Sequence, residues 1–168
     1  CHMDHIARRF RYLYTGESTA AILFIGLSAL VDYTYESLTL YTSSAFWSAF
    51  LLLELLLAQG TYYWYCKYKS YIARKRISLS RIRTFKRWQR INGVLFVVVG
   101  IICMIELWHV STATLLVIVG IYVFALLEYI NYFYVQLSYD NAADLRYLWQ
   151  HKKLKVASLQ RDFQRLKG

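Results

Sequence analysis

Acidic side chains interrupt the long apolar stretches of this sequence, and they are the groups whose chemistry stands out. Glu54 lies between two Leu-Leu-Leu runs, and Glu106 and Glu128 fall within two later apolar stretches. A charge at the centre of a bilayer costs roughly 2.5–3.5 kcal/mol even on the lower scales, so a carboxyl group there needs a partner, a proton or water. We therefore take these three residues as intramembrane functional candidates.

Glu54 has the most apolar sequence neighbourhood of the three. Residues at helical offsets of four, seven and eleven form a less apolar face with it: Ala58, Thr61 and Tyr65. This face is expected to turn towards other helices. Three interpretations stay open: a protonated carboxyl group hydrogen-bonded across a bundle, a proton-carrying or ligand-binding group, and a contact with another chain. For Glu128, which precedes Asn131 and Tyr132, we expect access to cytoplasmic water.

A second polar group is expected at the outer level, where Asp32 and His109 are close in depth to Glu106. Glu106 and His109 match the Glu-x-x-His pattern that supplies metal ligands in di-iron helical bundles. Such a site needs a second copy and further carboxylates, and only Asp32 and Glu36 could join this one. Capping of the outer helix ends is the favoured interpretation, and we predict no metal site and no cofactor.

The elements that must position these residues are predicted from composition. Of 168 residues, 58% are hydrophobic and 18% are charged, whereas soluble domains average about 25% charged residues. Proline is absent, which favours uninterrupted helices. Four apolar stretches each have roughly the 17–25 residues that a transmembrane helix needs; they lie at about residues 18–35, 45–65, 92–108 and 111–133. The predicted fold is all-α, an integral membrane four-helix bundle.

We treat residues 3–168 as a single membrane domain, because Cys1 and His2 resemble the remnant of a cloning site before Met3. The twenty Lys and Arg residues fall before the first stretch, within residues 67–90, and in a tail at residues 136–168. The two other connections carry none. By the positive-inside rule, both termini are predicted to be cytoplasmic. Small size and short loops favour a bacterial cytoplasmic membrane.

The basic segments also show amphipathic patterns. In residues 80–91, Ile82 and Phe85 share one side and the basic residues lie on others, and similar patterns occur in the N-terminal arm around Phe10 and in the tail. Such patterns predict basic interfacial amphipathic helices at the inner headgroups. The tail residues concerned are Leu145, Leu148, Trp149, Leu159, Phe163 and Leu166.

Residues 67–90 are predicted to form a basic cytoplasmic loop that binds a lipid or a partner. Its candidate binding residues are Lys67, Lys69, Arg74, Lys75, Arg76, Arg81, Arg83, Lys86, Arg87 and Arg90. Anionic headgroups attract each juxtamembrane cation by about 1 kcal/mol, which makes membrane lipid the simplest partner. An acidic protein partner or a regulatory lipid is an alternative. Nucleic acid is not favoured, because no recognition motif accompanies the charges.

Three functions are compatible with these patterns. The first is a non-enzymatic membrane protein that assembles with itself or with a membrane-protein partner and presents a basic cytoplasmic face. The second is a proton-coupled or ion-conducting protein that uses Glu106, Glu54 and Glu128 as outer, middle and inner stations. The third is a membrane enzyme that acts on lipid at the outer leaflet through Asp32, Glu106 and His109. No nucleophile, zinc or phosphate-binding motif supports catalysis.

Overall fold

The structure, a computed structural model, describes residues 2–137, 146, 148–150 and 152–166. Of the two residues that resemble a cloning remnant, Cys1 lies outside the described residues. The described residues form the helices α1 (His2–Thr34), α2 (Ser44–Ile72), α3 (Leu79–Glu106) and α4 (Thr112–Phe133), and a short helix, α5 (Ser158–Gln164). Short 3-10 turns at Glu36–Leu38 and Leu40–Thr42 join α1 to α2.

The all-helical class is confirmed. Within the described residues there is no β-strand, and Val135 and Val156 form an isolated antiparallel bridge. Four helices, α1 to α4, are long and apolar enough to cross a membrane. At about 1.5 Å per residue, the 22 residues of the shortest, α4, span about 33 Å, whereas a hydrocarbon core is about 30 Å thick.

The predicted loop at residues 67–90 is wrong in its extent. The helix α2 continues to Ile72 and α3 begins at Leu79, so only residues 73–78 connect them. Residues 61–92 contain neither glycine nor proline, so the local sequence lacks the strongest helix breakers. The chain reverses at Arg74, which takes a left-handed conformation with φ of 51°.

The helix α2 is the centre of the fold. In the most apolar segment of α2, 56% of the residues are buried inside the protein. The corresponding share is 6% for α1, 22% for α3 and 17% for α4. The other three helices therefore pack around α2 and leave broad apolar faces exposed. The largest fully buried side chains of α2 are Phe46, Leu53, Leu56 and Leu57.

The amphipathic faces of the basic segments are covered by protein, which corrects the prediction of separate interfacial helices. Ile82 and Phe85 belong to α3 and are fully buried, with the Phe85 ring 5.4 Å from the Tyr63 ring. In the N-terminal arm, which is part of α1, Phe10 stacks on Trp64 of α2 at 6.0 Å. An apolar stripe on a basic helix can face either lipid or protein, and here it faces the bundle.

The short helix α5 in the tail also packs on the bundle. Leu159 and Phe163 of α5 are buried, and Phe163 stacks on Phe133 of α4 at 6.4 Å. Trp149 is 85% exposed, so the expected apolar face does not extend over the whole tail. Leu145 lies outside the described residues.

The end of the bundle at which α2 finishes and α3 begins is called the basic end here. Arg11 of α1 donates to the Tyr68 hydroxyl there at 3.2 Å, and Arg165, just after α5, donates to the Ile77 carbonyl at 3.2 Å. The basic segments in the first part of α1, around the turn between α2 and α3, and after α4 thus converge on one end. The connections without Lys or Arg lie at the opposite end.

Candidate functional site

A polar cavity of about 290 Å³ lies towards the basic end, among α1, α2, α4 and the start of α5. The helix α1 contributes Arg9 and Glu17, and α4 contributes Glu128, Asn131 and Tyr132. Two carboxyl groups from different helices therefore line one cavity. This cavity is our candidate functional site.

Tyr132 links the two acids. The side chain is only 7% exposed, and its hydroxyl donates a hydrogen bond to Oε2 of Glu17. The Glu128 carboxyl group interacts with the side chains of Tyr132 and Asn131. Because a phenol carries one proton, Tyr132 can donate to one carboxylate at a time. Either carboxylate keeps acceptor capacity for a further donor.

Gly60 of α2 explains how Tyr132 reaches this position. A Cβ atom at residue 60 would lie 2.5 Å from Cζ of Tyr132, closer than real Cβ contacts. The absence of a side chain at Gly60 therefore lets the Tyr132 ring cross the surface of α2. A glycine is needed at this position because α4 approaches α2 closely there.

A second polar cluster attaches α5 to α2 beside the cavity. The Tyr63 hydroxyl donates to Oδ2 of Asp162 at 2.8 Å and lies 2.9 Å from Oγ of Ser158. Lys67 donates to the same Asp162 oxygen at 2.7 Å, forming an ion pair. A buried tyrosine and a charge-assisted hydrogen bond thus hold the seven-residue helix on the bundle.

An apolar cavity of about 350 Å³ adjoins the polar one on the side away from the basic end. Phe24 of α1 and Phe124 of α4 line both cavities, and their ring centroids are 5.6 Å apart. The apolar cavity extends along α1 to Val31 and along α4 past Gly120. The two cavities therefore lie end to end between α1 and α4, and the contacting Phe24 and Phe124 rings stand where they meet.

Of the predicted acids, Glu106 caps α2. Its Oε2 accepts from Oγ of Ser43 at 2.7 Å and from N of Ala45 at 2.5 Å, and its Oε1 accepts from N and Oγ of Ser44 at 3.0 and 3.1 Å. A carboxylate at a helix N-terminus satisfies orphan N–H groups and complements the helix dipole. This geometry agrees with the capping interpretation.

The other outer residues are engaged separately. Asp32 accepts a hydrogen bond from the backbone N–H of Tyr41 at 3.2 Å, which holds the turn between α1 and α2. His109 is exposed in the turn after α3. The structure therefore does not unite Asp32, Glu106 and His109 around one reacting position. Among the described residues, no group of three or more His, Cys, Asp and Glu side chains could hold a metal ion.

Glu54 is half-buried, on the face of α2 that also carries Tyr65. Tyr65 contacts Tyr14 at 5.8 Å, so this face is the one along which α1 runs. The Oε1 atom of Glu54 is covered and has no hydrogen-bond partner within the described part of the chain. Because its own chain covers this atom, the burial of Glu54 does not require a second subunit.

Most of the predicted basic binding residues are exposed. Lys67 is half-buried by Asp162, and Lys86 is half-buried above the Phe163 ring, 4.6 Å from its centroid. The eight exposed residues are Lys69, Arg74, Lys75, Arg76, Arg81, Arg83, Arg87 and Arg90.

Sequence reasoning missed Glu17 and Asp162. Glu17 immediately precedes the first apolar stretch and Asp162 lies in a charged tail, so both resemble solvated acids. It also missed the reciprocal amide pair of Gln59 and Asn92, with N···O distances of 3.2 and 2.6 Å. Two amides within adjacent apolar stretches were the available signal for that pair.

Comparison with known proteins adds no functional assignment. The chain matches no protein-family description, and no similar curated protein or solved structure was found.

Proposed function

We propose that this chain is a non-enzymatic integral membrane protein that crosses the membrane four times, with both termini cytoplasmic, and binds an acidic protein partner at its basic end. The bacterial cytoplasmic membrane is the proposed location. Association with itself or another membrane protein is part of the proposal, supported by the broad apolar faces of α1, α3 and α4. The observation that carries the proposal is that eight exposed cations lie beyond the apolar stretches, on the last part of α2, the first part of α3 and the turn between them.

The distance from the hydrocarbon favours a protein over lipid headgroups. The apolar part of α3 begins near Asn92, and Arg83 and Arg81 precede it by nine and eleven helical residues. At about 1.5 Å per residue, these lie about 14 and 17 Å further out along the helix. The headgroup layer adds only about 5–8 Å on each side of the hydrocarbon. With α3 upright in the proposed orientation, these arginines would extend past the lipid phosphates.

Some cations are better placed for lipid. Arg90 lies two residues before Asn92 in α3, at the level expected for headgroups. Anionic lipid and an acidic partner thus use different levels of the same end of the protein. An experiment that changes only the distal arginines separates the two.

The test uses the full chain in nanodiscs of uncharged lipid and a fluorescent oligoglutamate peptide as the probe. Replacing Arg81 and Arg83 by glutamine is expected to weaken peptide binding roughly fivefold, and added salt should reduce binding to the unchanged protein. Replacing Lys152 and Lys153, which are also exposed, removes the same charge from the tail and should have a smaller effect. Equal effects of the two double variants, or peptide binding only in anionic nanodiscs, would contradict the proposal.

The membrane orientation has its own test. In a background with Cys1, Cys66 and Cys103 replaced by serine, Trp108→Cys should react with a membrane-impermeant maleimide on intact cells, because Trp108 is 89% exposed at the opposite end. Arg83→Cys should react only after permeabilisation. Labelling of Arg83→Cys in intact cells would overturn the four-span orientation.

The two alternative functions have weaker support. The outer station of the proton path, Glu106, is occupied by four hydrogen bonds to the start of α2. Two of the three residues suggested for outer-leaflet lipid chemistry, Asp32 and Glu106, hold backbone N–H groups of separate segments.

A further inference from the structure

We propose that a third cavity, at the basic end of the bundle, binds the phosphate group of a small soluble phosphorylated molecule. The cavity has a volume of about 350 Å³ and lies among the first part of α1, the end of α2, the turn at residues 73–78 and α5. It is called the basic cavity here. This inference goes beyond partner binding, because Arg81 and Arg83, the arginines assigned to the acidic partner, do not line the basic cavity.

Cations outnumber carboxylates among the side chains that line the basic cavity. Four of the lining residues are cationic and one, Asp162, is acidic, which leaves a net charge of +3. Lys67 pairs with Asp162 at 2.7 Å and so offsets its charge. The three remaining cations are Lys75, Arg76 and Arg165. An anion that enters the cavity therefore meets three positive charges that no lining carboxylate offsets.

The cations that already hold a protein group keep N–H donors for a ligand. Lys67 gives one hydrogen bond to Asp162, and an ammonium group has three N–H donors. Arg165 gives one hydrogen bond, from Nη1, to a backbone carbonyl, and a guanidinium group has five N–H donors. The hydroxyl-bearing residues Ser70 and Tyr71 line the same cavity. Several donors from separate elements are thus available to one anion.

The turn between α2 and α3 brings the cations of the basic cavity together. Arg74 takes a left-handed conformation with φ of 51°, so the two cations that follow it turn back to line a cavity with the end of α2. The backbone N–H of Lys75 donates to the Ser70 carbonyl at 2.9 Å. Arg165 donates to the Ile77 carbonyl at 3.2 Å, which joins the turn to the segment after α5. Hydrogen bonds within the protein therefore hold the walls of the cavity in place.

A phosphate group suits these side chains better than a carboxylate does. A phosphate monoester carries about −1.5 to −2 charges at pH 7 and has three strong acceptor oxygens, whereas a carboxylate has a single charge shared by its oxygens. Arginine also matches phosphate geometry with two parallel N–H donors. The volume of about 350 Å³ lies within the range of about 300–1,000 Å³ that is typical of small-molecule sites. The cavity therefore has room for an organic part of the ligand, next to the Phe10 ring in its wall.

The position of the basic cavity favours a soluble ligand over a phospholipid. Gln59 of α2 is hydrogen-bonded to Asn92, where the apolar part of α3 begins. Lys67 and Tyr71 follow Gln59 by eight and twelve helical residues, which places them about 12 and 18 Å further along the axis at about 1.5 Å per residue. The headgroup layer is only about 5–8 Å thick. With α2 upright in the proposed orientation, the cavity would open to water beyond the lipid phosphates.

The experiment measures the binding of inorganic pyrophosphate by isothermal titration calorimetry to the full chain in nanodiscs of uncharged lipid. Succinate, a dicarboxylate, is the comparison anion. We expect pyrophosphate to bind at least roughly tenfold more tightly than succinate, and replacement of Lys75 and Arg76 by glutamine to weaken it by a similar factor. Replacement of Arg81 and Arg83 by glutamine removes the same charge from the basic end and should weaken pyrophosphate binding by less than about twofold.

A steric variant tests whether the anion enters the basic cavity. Ser70 lines the cavity and is half-buried, so Ser70→Phe should fill part of the space while every cation remains. Ser80 is exposed on α3 and does not line the cavity, which makes Ser80→Phe a matched control. Pyrophosphate binding should fall severalfold in Ser70→Phe and stay unchanged in Ser80→Phe. Circular dichroism and gel filtration of each variant establish that it is folded.

A lipid headgroup is the other source of a phosphate group, and native mass spectrometry separates the two sources. Delipidated protein is incubated with phosphatidic acid, and the retained lipid is measured. Retention should be the same in the unchanged protein and in the variant with glutamine at residues 75 and 76. Loss of phosphatidic acid in that variant, with no binding of pyrophosphate to the unchanged protein, would assign the cavity to lipid and overturn the soluble ligand.

Three further results would overturn the proposal. Equal affinities for pyrophosphate and succinate would show that the cavity does not select phosphate. Equal effects of the two double glutamine variants would show diffuse attraction to the whole basic end. Unchanged binding in a folded Ser70→Phe variant would place the anion outside the cavity, and if that variant does not fold, the two double variants decide. The partner test uses an oligoglutamate probe and Arg81 with Arg83, so either proposal can fail while the other holds.

Discussion

Tyr132 of α4 lies across Gly60 of α2 so closely that a methyl group at residue 60 would come within 2.5 Å of the phenol ring. The same tyrosine donates its hydroxyl proton to Glu17 of α1. One close approach thus ties together three helices and sets the position of an acid in the polar cavity. Without it, Glu17 would lose the buried partner that links it to α4.

Replacing Gly60 by alanine is expected to destabilise the protein by about 1–3 kcal/mol, because Tyr132 must shift and lose its hydrogen bond to Glu17. In an unconstrained helix the same change stabilises by about 1 kcal/mol. Gly26→Ala, in open space on α1, is the matched control and should be neutral or stabilising. Unfolding by a denaturing detergent measures both. A neutral Gly60→Ala variant would contradict the packing described.

Replacing Glu106 by alanine removes the acceptor of four hydrogen bonds at the start of α2. We expect a loss of about 2 kcal/mol of unfolding free energy, at the upper end of the range for helix caps. Glu36→Ala, at an exposed acid in the neighbouring turn, should change it by less than about 0.5 kcal/mol. Detergent unfolding of the two variants compares them, and similar losses would mean that Glu106 is not a specific cap.

The buried amide pair between α2 and α3 can be tested by a double-mutant cycle. Gln59→Leu alone leaves Asn92 without its amide partner, and Asn92→Leu does the same to Gln59, so each should destabilise by about 1–2 kcal/mol. The double variant should be less destabilised than the sum of the two single variants by about 1 kcal/mol, a coupling energy near the range measured between membrane helices. Additive losses would show that the two amides do not interact.

The ion pair of Lys67 and Asp162 is expected to hold α5 on the bundle. Asp162→Asn leaves the Lys67 ammonium group without its carboxylate, and hydrogen exchange in residues 158–164 should accelerate severalfold while α2 keeps its protection. Gln164→Ala, at an exposed position in the same helix, should leave the exchange unchanged. Unaltered exchange in Asp162→Asn would show that the buried aromatic contacts of Phe163 suffice.

The candidate site was only partly predictable from sequence. Glu128 and Glu106 stood out because a carboxyl group in an apolar stretch is costly wherever the helix packs. Glu17, next to the first apolar stretch, carried no such signal, and its partner Tyr132 is 115 residues away along the chain. The pairing depends on the rotation and register of α1 against α4, which helical periodicity alone does not specify.

The sequence by itself determined the four apolar helices, because helix length and hydropathy depend on neighbouring residues. The grouping of the basic residues along the chain also predicted that all of them lie on the same side of the membrane. The tertiary structure alone decided what the amphipathic stripes face. Ile82 and Phe85 would form the same stripe on a lipid surface, and only the fold shows that both are buried in protein, with Phe85 against Tyr63 of α2. It also decided which acids meet in a cavity and which cap a helix, since both outcomes depend on how separate helices are rotated against one another.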